Sequence, residues 1–334
     1  MNRSETLKYI GNLSQLGGCR HYILTEGWAR GLRATDFNTG SGLNYTVIPD
    51  RNMDISMASY KGSNLVYITC NGETHPSFFE PEGAGWLHTF SGGLIATCGL
   101  MWLGAPCTDG NEVLGLHGRI SATPAKQYSD LSGWENNDYI LKVKGHMEEG
   151  RLFGGKLRIE REISSMLGQN IIRLKDTVTN FGNQTVPFTL LYHINFGFPF
   201  LSEHTELVFD AIESLPRDTE AEKGMKEIKS FSKPQPSFNE QVFYHIPKGN
   251  EKGDTSVRVI NKEAGIGVSI NFNVNQLPKL TQWRMMASGE YVLGIEPGNV
   301  HSKPRDLLRK ENVLPLLQPG EMALSGLEIM VYDI

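Results

Sequence analysis

Apolar residues recur at every second position through long stretches of this chain, and almost nowhere at helical spacing. Leu157, Ile159 and Ile163 alternate with Arg158, Glu160 and Glu162. The segment from Tyr139 to Lys144 alternates as well. Glu148-Glu-Gly-Arg lies between them and predicts a hairpin turn. A second hairpin is predicted where Val257 to Ile260 and Ile266 to Phe272 flank Lys262-Glu-Ala-Gly. Further strands are expected over 170–180, 187–198, 279–286, 291–296 and 322–332. Helical patterning is confined to Arg217 to Lys229 and Lys303 to Lys310, with Pro304 in a first turn. Strands without helices between them exclude a parallel βαβ sheet and predict an all-β fold, a large antiparallel sandwich or barrel.

The 334 residues then read as one domain, because all-β folds often run long as single units. Residues 1–42 are taken as N-terminal strands packed onto the rest. The 36 glycines and 16 prolines are scattered, which suits many short strands joined by tight turns. Cys70 to Leu94 shows no clear period and reads as a long ordered loop, a kind of segment that often carries function.

Charge and cysteine content narrow the function. The net charge is −5 and no basic stretch stands out, so nucleic acid is not an expected partner. No apolar run approaches a bilayer span and none opens the chain as a secretory signal would, so no membrane partner and a cytoplasmic location are expected. Cys19, Cys70, Cys98 and Cys107 show no C-x-x-C spacing, which argues for free thiols and against a zinc ribbon.

Three clusters carry chemistry. In the first, Leu116-His117-Gly118-Arg119 follows glycine-rich stretches, and an extended backbone would turn His117 and Arg119 to one face. In the second, Pro187 to Gly197 places Thr189, Leu191, His193 and Asn195 on one face of an apolar strand. The plainer alternative for His193 is a satisfied core histidine. In the third, Glu296 ends the strand Tyr291 to Glu296 just before Pro297-Gly298, where a strand end suits a site mouth. A carboxylate and an imidazole together can open a sugar ring: a base takes the anomeric hydroxyl proton and an acid protonates the ring oxygen. No redox change occurs, so no cofactor is expected. Two histidines and an acid would also suffice as metal ligands, but no H-x-x-x-H or H-x-H spacing supports a metal.

Four stretches resemble the aldose 1-epimerase, or galactose mutarotase-like, superfamily. They are Leu116-His-Gly, Thr177 to Gly197, Gly294-Ile-Glu-Pro-Gly-Asn299, and Leu317-Gln-Pro-Gly-Glu321 followed by a final strand. Pro49-Asp-Arg-Asn-Met-Asp-Ile55 and Thr97-Cys-Gly-Leu100 are similar to one aldose-epimerase-like branch of it. The resemblance implies a β-sandwich of the supersandwich type and a catalytic set in which Glu296 is the general base, His193 is the general acid at the ring oxygen, and His117 helps to bind the sugar and polarise the same oxygen. Where the superfamily has Tyr-Phe-Asn-Leu after the second histidine, this chain has Ile194-Asn-Phe-Gly. Arg51 and Arg119 are both candidates for the superfamily's early arginine, and Asp109 for the aspartate that holds sugar hydroxyls. Asn195, Trp283 and Arg284 complete the expected substrate-binding set, and Trp86 and Trp102 are further aromatic candidates. The expected partner is a small-molecule sugar, and a homodimer is left open. Two alternatives stand beside anomer interconversion. One is an isomerase or lyase on an acidic or otherwise modified sugar, held by Arg51, Arg119 and Arg284. The other is a sugar-binding protein without catalysis.

Overall fold

A computed structural model describes residues 3–334. Two large antiparallel sheets face each other, and a smaller sheet packs beside them. The nine-stranded sheet runs Gly133–Glu135, Asp138–Gly150, Lys156–Met166, Ile171–Asn180, Met322–Asp333, Ile266–Asn273, Asp254–Asn261 and Thr205–Val208, with Lys126–Asp130 also pairing to Asp138–Gly150. The six-stranded sheet runs Ala211–Pro216, Gln241–Pro247, Lys279–Ala287, Glu290–Gly298, Thr189–Gly197 and Ala96–Leu100. The smaller, five-stranded sheet lies between Gly18 and Asn64. This is the all-β supersandwich of the galactose mutarotase-like kind. No helix among the described residues is long and apolar enough to cross a membrane.

The two-residue rhythm explains the packing. Leu157, Ile159 and Ile163 point inward from one strand, and Ile172, Leu174 and Val178 from the next. They meet Tyr192, Ile194 and Phe196 of the opposing sheet in one continuous core. Each such buried side chain contributes roughly 1.5–3 kcal/mol of transfer free energy. The inward face also carries charge. Arg161, fully buried, donates to both oxygens of Asp176 at 2.9 and 2.7 Å and to Asp54 at 2.7 Å. Tyr192 donates to Asp176 from the other sheet at 2.8 Å.

Local expectations shift in three places. The hairpin turn expected at Glu148–Arg151 falls at residues 151–155, and the strand runs on to Gly150. Glu149 stays in register because it is buried and its carboxyl accepts the Leu100 backbone N–H at 3.1 Å. The helix expected over 217–229 is a single α turn, Thr219–Lys223, and a 3-10 turn, Met225–Glu227, separated at Gly224. The strand expected to end at Glu296 continues to Gly298, paired to Lys279 on one side and Leu191 on the other. The second helix, Arg305–Lys310, follows Pro304 directly. All four cysteines are unpaired.

Candidate functional site

Each strand of a sheet sends alternate side chains to opposite faces. On the strand Thr189–Gly197, Leu190, Tyr192 and Ile194 enter the inter-sheet core, so Leu191 and His193 must face away from it. The register that pairs Leu191 with Gly298 and Ile194 with Ile295 sets His193 beside Glu296. Their nearest atoms, His193 Nε2 and Glu296 Oε1, are 3.3 Å apart. His193 also pairs with Ala96, Glu296 with Thr281, Thr281 with Tyr244, and Tyr244 with Leu215. One row of side chains therefore crosses all six strands of the sheet.

A groove of about 740 Å³ lies over this row. Its volume sits within the range of small-molecule sites. The segment Cys70–Leu94 roofs one end and brings in Trp86 and Phe90, which stack at 4.4 Å. Trp86 meets the His117 ring at 4.8 Å, Phe90 meets His193 at 5.4 Å, and Trp283 meets His193 edge-on at 5.4 Å. The two histidine rings are 6.0 Å apart and perpendicular. His117 does not sit on a strand. It occupies a turn at φ +56°, and Arg119, at the start of a 3-10 turn, points into solvent. The expectation that both share one strand face is corrected by that turn.

The electrostatics are those of a water-poor floor. Burial pushes the Glu296 carboxyl well above the usual carboxylate range; Glu240 adds to this and Arg217 opposes it. Burial lowers His193 to about 3, with the neighbouring His117 adding to the effect. His117, partly open to the groove, is lowered by burial to about 4. Glu296 Oε1, His193 Nδ1 and His117 Nδ1 are buried without a hydrogen-bond partner. The 3.3 Å approach is close enough for an ion pair but is not aligned as a hydrogen bond. Gly294 makes room for the carboxyl: a Cβ there would lie 2.8 Å from Glu296 Oε1 and 3.0 Å from Trp283 Cβ.

The expected residues divide sharply. Glu296, His193, His117 and Trp283 line the groove. Arg51 does not; it is buried in a separate cleft, donating to the Thr74 carbonyl at 2.8 Å. Asp109 is held by Arg305 at 2.6 Å and Arg309 at 2.8 Å, which keep its carboxyl below the usual range. Asn195 shares the strand face of His193, but its amide is spent on the Gly93 and His193 carbonyls at 3.1 and 2.9 Å. Arg284 alternates with Trp283 to the opposite face and donates to the Glu227 carbonyl at 3.2 Å. Of the further aromatic candidates, Trp86 lines the groove, whereas Trp102 donates to the Gly115 carbonyl outside it.

The sequence reading missed Glu240, Arg217 and Tyr244. Glu240 accepts from Arg217 at 2.9 Å and from the Trp283 indole at 3.1 Å. Tyr244 donates to the Ser302 carbonyl at 3.1 Å. Nothing local marks these three, because sheet order alone carries the strand Gln241–Pro247, with Glu240 just before it, and the end of Ala211–Pro216, with Arg217 just after it, to the groove. Among the described residues, no three His, Cys, Asp or Glu side chains are grouped as ligands of one metal ion.

The fold is shared with solved structures of "putative" aldose 1-epimerases and galactose mutarotase-like proteins. A "putative aldose 1-epimerase" from Klebsiella pneumoniae superposes with a TM-score of 0.90 at 28% identity, over 100% of this chain and 87% of that one. A galactose mutarotase-like protein from Clostridium acetobutylicum gives 0.64 at 12% identity, over 96% and 100%. A galactose 1-epimerase from Lactobacillus acidophilus gives 0.59 at 12%, over 95% and 99%. No curated protein sequence matches. The chain belongs to the family described as "Domain of unknown function (DUF4432)", whose model matches residues 29–331.

Proposed function

We propose that this protein interconverts the anomers of a free sugar by acid–base ring opening. The observation that carries this reading is the 3.3 Å approach of Glu296 to His193 on the floor of a groove that fits a sugar. Between them the two groups hold one proton. Burial favours the uncharged arrangement, with that proton on Glu296 and a neutral imidazole. A bound sugar gives each group a polar partner and brings the charged arrangement within reach.

In that state the Glu296 carboxylate takes the proton of the anomeric hydroxyl. The C1–O5 bond breaks with its electron pair moving to O5, and the His193 imidazolium protonates O5. The pair is then Glu-COOH and neutral imidazole, the form that burial favours. Rotation about C1–C2 and the reverse proton transfers close the ring with the opposite hand. His117 contacts the sugar near O5, and the stack of Trp86 on Phe90 covers an apolar ring face. Glu240, clamped by Arg217, takes over the hydroxyl-holding role once expected of Asp109. An anionic sugar is disfavoured. Arg51, Arg119 and Arg284 lie off the groove, and Arg217 and Lys303 are already paired with acids.

The test is NMR or polarimetry on a freshly dissolved single anomer, over a panel of aldoses. Wild-type protein should accelerate equilibration of at least one sugar, and Glu296→Gln should abolish the acceleration. No acceleration over buffer on any sugar would leave a binding protein instead.

A further inference from the structure

The outer face of the nine-stranded sheet breaks the rule of apolar in and polar out. On Met322–Asp333, Ser325 and Leu327 face the core, so Met322 and Leu324 face away from it, and both are 64% exposed. Register sets Met322 beside Thr179 and Arg158, and Leu324 beside Thr177 and Glu160. Phe181, 41% exposed, joins them. Its backbone N–H donates to the Lys156 carbonyl at 3.2 Å, and the Arg158 guanidinium covers its ring at 5.1 Å. The adjoining hairpin tip adds Leu152 at 78% and Phe153 at 89% exposed. Phe153 holds a φ of +61°, a conformation that bulky side chains seldom take, although Gly154 and Gly155 follow it directly.

Large side chains carry about 150–200 Å² each, so these five leave on the order of 600 Å² of apolar surface in water. Monomers seldom expose so much in one patch. It is most of the ~800 Å² that each partner of a stable pair buries.

The same face holds its own complement. A depression of about 570 Å³ lies around Gly326, lined by Leu324, Thr177 and Lys175. The Arg158–Thr179–Met322 row divides the face in two. The hairpin tip, Phe181 and Lys156 lie on one side of it. The depression, Leu324 and Glu160 lie on the other. Among the described residues neither Lys156 nor Glu160 has an ion-pair partner, whereas Arg158 is paired with Glu148. One row beyond Glu160, Glu162 lies between Lys144 and Lys175 in register. A two-fold axis lying in the contact along the dividing row sets each feature over its opposite. Phe181 meets Leu324, Lys156 meets Glu160, and the tip meets the depression. The groove opens on the other sheet, so both grooves stay free.

A surface that carries both halves of a contact fits a second copy of this chain. We propose that the protein forms a two-fold dimer through the outer face of its nine-stranded sheet, with Leu152 and Phe153 of each copy seated in the Gly326 depression of the other.

Sedimentation equilibrium of the full chain should show a dimer with a Kd of about 1 µM or tighter, the weak end for an interface of standard size. Leu324→Glu and Phe153→Ser should each raise that Kd about tenfold or more, as loss of an anchoring side chain does. Both positions are exposed, and thermal melts check that the variants fold. A second measurement uses the unaltered protein. Isotope-labelled and unlabelled chains are mixed and coupled with a carbodiimide, and a Lys156–Glu160 cross-link should appear with one partner of each label. A monomer at every concentration overturns the proposal and leaves the face to another partner. A dimer that either substitution leaves unchanged, or a cross-link formed only within single-label chains, overturns it as well.

Discussion

Two buried clusters of ionisable side chains in this molecule differ in bonding. Between the sheets, Arg161 is met by Asp54 and Asp176, and Asp176 by Tyr192. On the groove floor, Glu296, His193 and His117 approach one another yet leave three buried polar atoms without partners. Buried polar groups in native proteins are nearly always satisfied. The saturated cluster therefore ties the two sheets together, and the unsaturated one forms the floor of the groove where we propose that the sugar binds. Burial alone would have ranked the two as equals.

The contrast can be broken by substitution. Glu296→Gln should lower anomer exchange by about 10²–10⁴-fold, the usual share of a general acid–base group. It should leave the thermal midpoint unchanged or higher, since an unsatisfied buried carboxyl is lost. A large drop in melting temperature would place Glu296 with the structural cluster. Arg161→Met should do the reverse. It strands two carboxylates in the core and should cost about 3–5 kcal/mol in a denaturant titration. A near-native midpoint would show that the inter-sheet network is dispensable.

Gly294→Ala sharpens the boundary between the clusters. The new methyl meets Glu296 Oε1 and Trp283, so about 1–3 kcal/mol of stability and part of the activity should be lost together. Unchanged activity would mean that the Glu296 position tolerates displacement.

Per pH unit, the effect of pH is the smallest. His193 titrates at about 3 when folded, against 6.5 when unfolded. Between those values the unfolded chain binds a proton that the folded one refuses, so stability falls as pH drops through that window. Glu296, with its pKa raised, opposes this from the other side: its contribution is lost as pH rises above the ordinary carboxylate value of 4.5. His193→Gln should flatten the acid limb by up to ~1.4 kcal/mol per pH unit in melts between pH 6.5 and 4. An unchanged slope would mean that His193 is not buried neutral.

Legibility followed the range of the interactions. The hairpin at Lys262 to Gly265 and the strand from Ile171 to Asn180 could be read because side-chain alternation is local. Glu296 and His193 could be nominated because each is a polar residue in an apolar strand. His117 could be nominated but not oriented, since its φ of +56° follows from a glycine-rich turn and not from a period. Asp109 and Arg51 were plausible by type, and each found a partner elsewhere.

By itself, then, the sequence determined an all-β chain, its strands, and the imidazole–carboxyl chemistry available to it. Only the tertiary structure decided that Gln241–Pro247 lies two strands from Glu296, with Ala211–Pro216 beyond it, bringing Tyr244 onto the groove floor and Glu240 and Arg217 to its wall. The reason is physical. Alternation fixes which face a side chain takes, but the order of strands in a sheet depends on long-range pairings, and no local pattern records those.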